Sequence, residues 1–185
     1  MNNILKSTLT SLSVLALSSF VVALATAEVI DTKAREAILI DPSTGTVILN
    51  KNADEQMPPA SMSKLMTAYL LFESINDGRV SFDDKFRVSE NAWRKGGAAS
   101  GSSTMFLPPK SEVRVEDLIR GIIVQSGNDA CIVVAESLAG SEEAFARRMT
   151  YKAQELGMTG SNFMNATGWP HPEHRTTARD LATLS

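Results

Sequence analysis

The 185-residue chain is 43% hydrophobic and 21% charged, which is enough apolar material for one buried core and too little length for two full domains. Its 18 Lys and Arg against 21 Asp and Glu, with no basic run, exclude the electrostatic footprint of a nucleic-acid binder. The single cysteine, Cys131, excludes an intrachain disulfide.

Residues 1–27 differ from the rest. Lys6 follows the amino terminus, the apolar run LSVLALSSFVVALA comes next, and Ala25-Thr26-Ala27 supplies a small-x-small cleavage site. The pattern predicts a secretory signal peptide cut after Ala27. A transmembrane anchor is the weaker reading, because the run is short and dotted with serines.

Residues 28–185 then form the domain. From Arg35, REAILIDPSTGTVILNKN carries two β-rich runs around PSTG, which predicts two antiparallel strands joined by a turn. A polar, proline-punctuated connection, NADEQMPPA, leads to a helix from Ser61 to about Asn76. Its apolar positions Met62, Leu65, Met66, Tyr69, Leu70 and Ile75 recur at helical spacing, and NDG stops it. GGAASGSSTMFL reads as an ordinary loop; it has neither GxxxxGK[ST] nor GxGxxG, so no phosphate cradle is predicted.

RVEDLIRGIIVQSGNDACIVVAESLAG predicts two helices flanking SGN, with Cys131 filling a helix core as a small hydrophobe. SEEAFARRMTYKAQELG predicts another helix, with a serine cap, acids in its first turn and Gly157 at its end. The final TTARDLATLS has the look of a helix just beginning.

PPASMSKLMTAYLLFE places a serine and a lysine three positions apart at a helix start. Residues i and i+3 share a helix face, so Ser61 and Lys64 can meet, whereas Ser63 points elsewhere. Serine is inert at neutral pH without a base, and a buried lysine whose pKa has fallen from ~10.4 can serve as one. Alone, Ser-x-x-Lys is weak, since roughly one chance match is expected in a chain of this size. QSGNDA adds a second element: Ser126 and Asn128 in one turn between two apolar helices, where capping of the second helix is the structural alternative.

This order of motifs, with ILIDPSTGTVILNKNADEQMPPASMSKLMTAYLLFE, GSSTMFL, GIIVQSGNDACIVVAE, LGMTGSNFMNATGW and TTARDL, resembles the serine D-alanyl-D-alanine carboxypeptidases, the low-mass penicillin-binding proteins. The resemblance implies an α/β (α+β) fold of the β-lactamase/transpeptidase type, an antiparallel sheet flanked by helices plus a helical subregion. It implies Ser61 as acylated nucleophile, Lys64 as its base, Ser126 as proton relay to the leaving group, and Asn128 as hydrogen-bond partner of Lys64 and of the substrate backbone. It further implies a peptidoglycan stem peptide ending in D-Ala-D-Ala as substrate, β-lactams as inhibitors, no cofactor, and a periplasmic, peripherally membrane-associated location.

The family's third motif, Lys-Thr/Ser-Gly, occurs nowhere in the chain, so residues 28–185 are expected to be the N-terminal part of the catalytic domain, with further strands and any membrane-binding tail lying beyond. A D,D-endopeptidase, a β-lactamase of the same fold and a non-catalytic β-lactam-binding module are the alternatives. Gly127 stands against the β-lactamase, which needs Ser-Asp-Asn. His171 and His174, with Glu173 beside them, form H-x-x-H, but Pro170 and Pro172 predict a surface loop rather than a metal site. Asn165-Ala166-Thr167 matches a glycosylation sequon and is expected to be a turn.

Overall fold

Asp41 organises the first turn of the chain. Its carboxylate accepts hydrogen bonds from the Ser43 N–H at 2.9 Å and the Ser43 and Thr44 hydroxyls at 2.7 and 3.0 Å, which hold it below the usual carboxylate range. Gly45, at φ 71°, turns the chain back. The strands β1 (Ala37–Ile40) and β2 (Val47–Lys51) therefore pair antiparallel, with an irregularity between Leu39 and Ile40.

The computed structural model describes residues 30–185. The expected signal peptide and its cleavage site lie outside these residues. The chain divides after Asp31, and the elements described below belong to the Thr32–Ser185 unit. No helix among the described residues is long and apolar enough to cross a membrane.

After β2 the chain makes a 3-10 turn at Ala60–Ser63 and continues directly into α1 (Lys64–Asn76). β3 (Lys85–Arg87) precedes α2 (Glu90–Gly96), and a second 3-10 turn at Ala98–Ser100 opens the loop that leads to β4 (Glu112–Arg114). α3 (Val115–Gln125), α4 (Asn128–Ala139), α5 (Glu142–Glu155) and α6 (Ala178–Leu184) complete the order.

α4 is the axis of the body. Residues Asn128 to Ala135 are all buried, as a helix apolar on every side must be, and α1, α2, α3 and α5 pack around it. Cys131 lies in this core, fully buried, with its thiol pushed up to about 12 by burial, so it remains a protonated small hydrophobe. α5 begins at Ser141, whose hydroxyl accepts from the Ala144 N–H at 3.1 Å, and Gly157 follows it at φ 83°.

The α+β class holds, with four corrections of detail. In place of one sheet flanked by helices, the described residues form two separate two-stranded sheets, β1–β2 and β3–β4. KFR and EVR are too short and charged to show alternation. The helix expected from Ser61 begins with a 3-10 turn, which rotates the register: Met62 and Leu65 face outward, while Thr67, Leu71 and Ser74 are buried. The buried hydroxyls are satisfied, Thr67 by the Ala166 carbonyl at 2.7 Å and Ser74 by that of Leu70 at 2.9 Å.

The Gly/Ser loop is more than a connector. The buried Asp129 carboxylate accepts from the Thr104 hydroxyl at 2.7 Å and from the Met105 and Leu107 N–H groups at 2.9 and 3.0 Å, so the start of α4 pins the loop. Finally, His171 is on the surface as expected, but His174 is 1% exposed and belongs to the interior. Its proline-rich neighbours form the loop, while the imidazole turns inward against Phe163, edge to face at 5.6 Å.

Candidate active site

Two strained backbone positions deliver the candidate side chains. Ala60 (φ 47°) precedes Ser61, and Ser126 itself (φ 53°) caps the end of α3 in the left-handed region, which is uncommon for residues other than glycine. Such conformations persist where the surroundings over-determine them, and they gather at functional sites. At the α3 end, the Gly127 N–H closes on the Gly121 carbonyl at 3.0 Å, and the Asn128 N–H donates to the Ser103 carbonyl at 2.8 Å. The α3–α4 turn is thereby tied to the loop before it.

Ser61, Lys64 and Ser126 line one cavity of about 200 Å³, together with Leu65, Ile122 and Ile123. Lys64 Nζ donates to Ser61 Oγ at 3.0 Å, the contact that the three-residue spacing predicted. Lys64 is 6% exposed and, among the described residues, has no carboxylate partner. Burial moves its pKa below that of a free lysine, because an ammonium loses more hydration than an amine. Ser61 is itself exposed, and its backbone N–H has no hydrogen-bond partner among the described residues. An accessible hydroxyl, a desolvated amine and a free backbone donor are the parts that nucleophilic attack on a carbonyl requires.

Asn128 stands apart from this group. No hydrogen bond joins it to Lys64; its side chain, 6% exposed, faces an adjacent cavity of about 440 Å³ lined also by Arg94, Lys95, Glu142, Thr167 and Trp169. The close packing of α2 on α4 fixes that placement. A Cβ on Gly96 would come within 2.3 Å of the Asp129 nitrogen, so only glycine lets the helices approach. Glu142 in this cavity has its carboxyl pKa raised by burial, opposed by the Ala166 N–H that it accepts at 3.2 Å.

The residues that sequence reading left out come from segment 165–176. Asn165 Oδ1 accepts from the Thr167, Gly168 and Trp169 N–H groups at 3.2, 2.8 and 3.0 Å, so the sequon-like stretch is a side-chain-stabilised turn. Gly168, at φ 85°, lies against the strained Ala60, where any Cβ would meet the Ala60 carbonyl oxygen at 1.8 Å. The NATG string carried the turn signal; nothing in it revealed which turn it would touch. Among the described residues no three His, Cys, Asp or Glu side chains gather to hold a metal ion.

Residues 23–185 match the model of the peptidase S11 family, D-alanyl-D-alanine carboxypeptidase. The chain is 41% identical over 153 residues to the D-alanyl-D-alanine carboxypeptidase DacF of Bacillus subtilis, covering 83% of this chain and 38% of that protein. It is 42% identical over 160 residues to DacC of Escherichia coli, covering 86% and 40%. The crystal structure of the D-alanyl-D-alanine carboxypeptidase DacD from Francisella tularensis superposes with a TM-score of 0.80 at 37% identity, over 85% of this chain and 37% of that one. The chain thus spans about two fifths of the length of these relatives.

Proposed function

The chain belongs to the D-alanyl-D-alanine carboxypeptidase family, peptidase S11, and on that premise we propose that it carries the nucleophilic half of a serine carboxypeptidase site acting on stem peptides that end in D-Ala-D-Ala. Ser61 Oγ attacks the carbonyl carbon between the two D-alanines while Lys64 Nζ, in its neutral form, takes the hydroxyl proton. The tetrahedral oxyanion forms beside the free Ser61 N–H. The C–N bond then breaks as Ser126 gives its proton to the departing amine and takes one from protonated Lys64, and D-alanine leaves. Water next attacks the Ser61 ester and frees both the shortened peptide and the enzyme.

The observation that carries this reading is the Ser61–Lys64 contact of 3.0 Å on a buried lysine with no carboxylate beside it. A lysine held by an acid would keep its proton; this one is desolvated and aimed at a hydroxyl. Asn128, facing the neighbouring cavity, is assigned to the substrate backbone rather than to Lys64. β-Lactams present a strained amide to the same serine and are proposed as inhibitors. Residues 1–27 are proposed to export the protein to the periplasm. The test is D-alanine release from an acylated D-Ala-D-Ala peptide by the protein carrying this chain. Release that disappears in Ser61→Ala supports the reading, and release that survives it refutes it.

A further inference from the structure

Ser63 sits two residues beyond the proposed nucleophile, within the same 3-10 turn, and it faces the opposite way. It is 0% exposed, and its Oγ lies 2.9 Å from Nε2 of His174, a residue 111 positions later in the chain. Nδ1 of the same ring accepts the Met164 N–H at 3.4 Å, so the ring proton resides on Nε2 and is donated to Ser63 Oγ. A serine and a histidine at this distance have the form of a catalytic dyad, but both are buried, and neither lines the cavity that holds Ser61. His174 borders a separate cavity of about 80 Å³ beside Ala60, Gly168 and Trp169, which Ser63 does not line.

Its position suggests another use. A 3-10 turn has poor internal hydrogen-bond geometry, and here it opens with a left-handed alanine, so its orientation has to be imposed from outside. One segment imposes it. Met57 and Thr176 exchange backbone hydrogen bonds at 2.8 and 2.9 Å before the turn, Gly168 packs on Ala60 within it, and Thr67 binds the Ala166 carbonyl at 2.7 Å after it. Among the described residues, the side-chain hydrogen bond that joins this segment to the turn itself is Ser63–His174.

Resting on the carboxypeptidase reading above, we propose that the Ser63–His174 hydrogen bond is a positioning contact: by holding Ser63 inward it sets the rotation of the turn, and so aims Ser61 Oγ at Lys64 Nζ. Neither residue touches substrate. Rotating a short turn by a few tens of degrees would move Ser61 Oγ by about an ångström, a displacement that can cost ~10²-fold in rate.

The experiment measures acylation by a fluorescent penicillin, separating the acylation rate constant from initial binding, in the protein carrying this chain. Ser63→Ala and His174→Leu should each slow acylation by ~10- to 100-fold with initial binding unchanged, and the double variant should be no slower than the worse single one. His174→Gln, whose amide nitrogen can replace Nε2 as donor, should recover most of the rate. Met158→Ala, a core truncation away from the turn, should lower Tm without slowing acylation.

If Ser63→Ala acylates at the unaltered rate, or if the two single losses multiply in the double variant, the proposal is overturned. Ser63→Ala, which deletes a single hydroxyl, decides the matter even if His174→Leu does not fold. Failure of the unaltered protein to acylate would overturn the carboxypeptidase reading as well, whereas normal acylation there with an indifferent Ser63→Ala would overturn this one alone.

Discussion

The Ala60–Ser63 turn divides the described residues into an inward region that is closed and an outward region that is open. Inward lie Ser63, His174, Met66, Leu71, Phe145 and Met149, all at most 1% exposed, with their polar atoms paired. Outward lie Ser61, Leu65 and Ile123 around the small cavity, and the β1–β2 hairpin, in which no residue is fully buried and Ile48 is 53% exposed. Buried packing is concentrated on the first side and the proposed chemistry on the second, so a short turn with two serines would serve both. The same separation explains why a lysine can be desolvated next to an accessible hydroxyl: its stem enters the body while its amine meets the cavity.

Substitutions on the two sides test this contrast. The largest expected effect is at Lys64, where replacement by alanine removes the proposed base and should slow acylation by ~10²–10⁴-fold with little change in Tm, as measured by stopped-flow labelling and thermal melts. Next, Leu71→Ala in the inward region should cost ~2–5 kcal/mol of stability in denaturant titration, through lost burial and a residual cavity.

A third effect depends on pH. Burial, aided by His171 and Arg175, pushes the His174 imidazole down to about 4, against 6.5 for the free side chain. Between those values the unfolded chain binds a proton that the folded chain does not, so stability is full above pH 6.5 and falls as pH drops towards 4. The loss should reach about 3 kcal/mol, and His174→Gln should show a correspondingly flatter stability profile across that window. The smallest effect is expected in the hairpin, where Ile48→Ser should shift stability by no more than about 0.5 kcal/mol. A loss as large as that of Leu71→Ala would show that the hairpin is part of the cooperative body.

What could be read from the sequence follows the same division. Ser61 and Lys64 were legible because helical spacing alone brings them together, and Ser126 because a polar triplet between two apolar runs must be a turn. The hairpin, α1, α3, α4 and α5 were legible from periodicity and caps. Asn128 was read as part of the turn and is instead the first residue of α4, and its facing cavity involves the Gly96 contact, which no local pattern encodes. β3, β4 and α2 escaped because short, charged segments carry no period. His174 was read as a loop residue because flanking prolines describe the backbone and say nothing of where an imidazole turns. Its partner lies 111 residues away. Met62 and Leu65 were assigned to the apolar face because a 3-10 start, invisible in composition, shifts the phase of the helix.

The most direct test of the account is to locate the covalent adduct. After incubation of the protein carrying this chain with penicillin, digestion and tandem mass spectrometry should place the acyl group on Ser61 alone, and Ser61→Ala should give no adduct. An adduct on Ser63 or Ser126 would contradict the assignment of the outward serine as nucleophile and, with it, the division of labour across the turn.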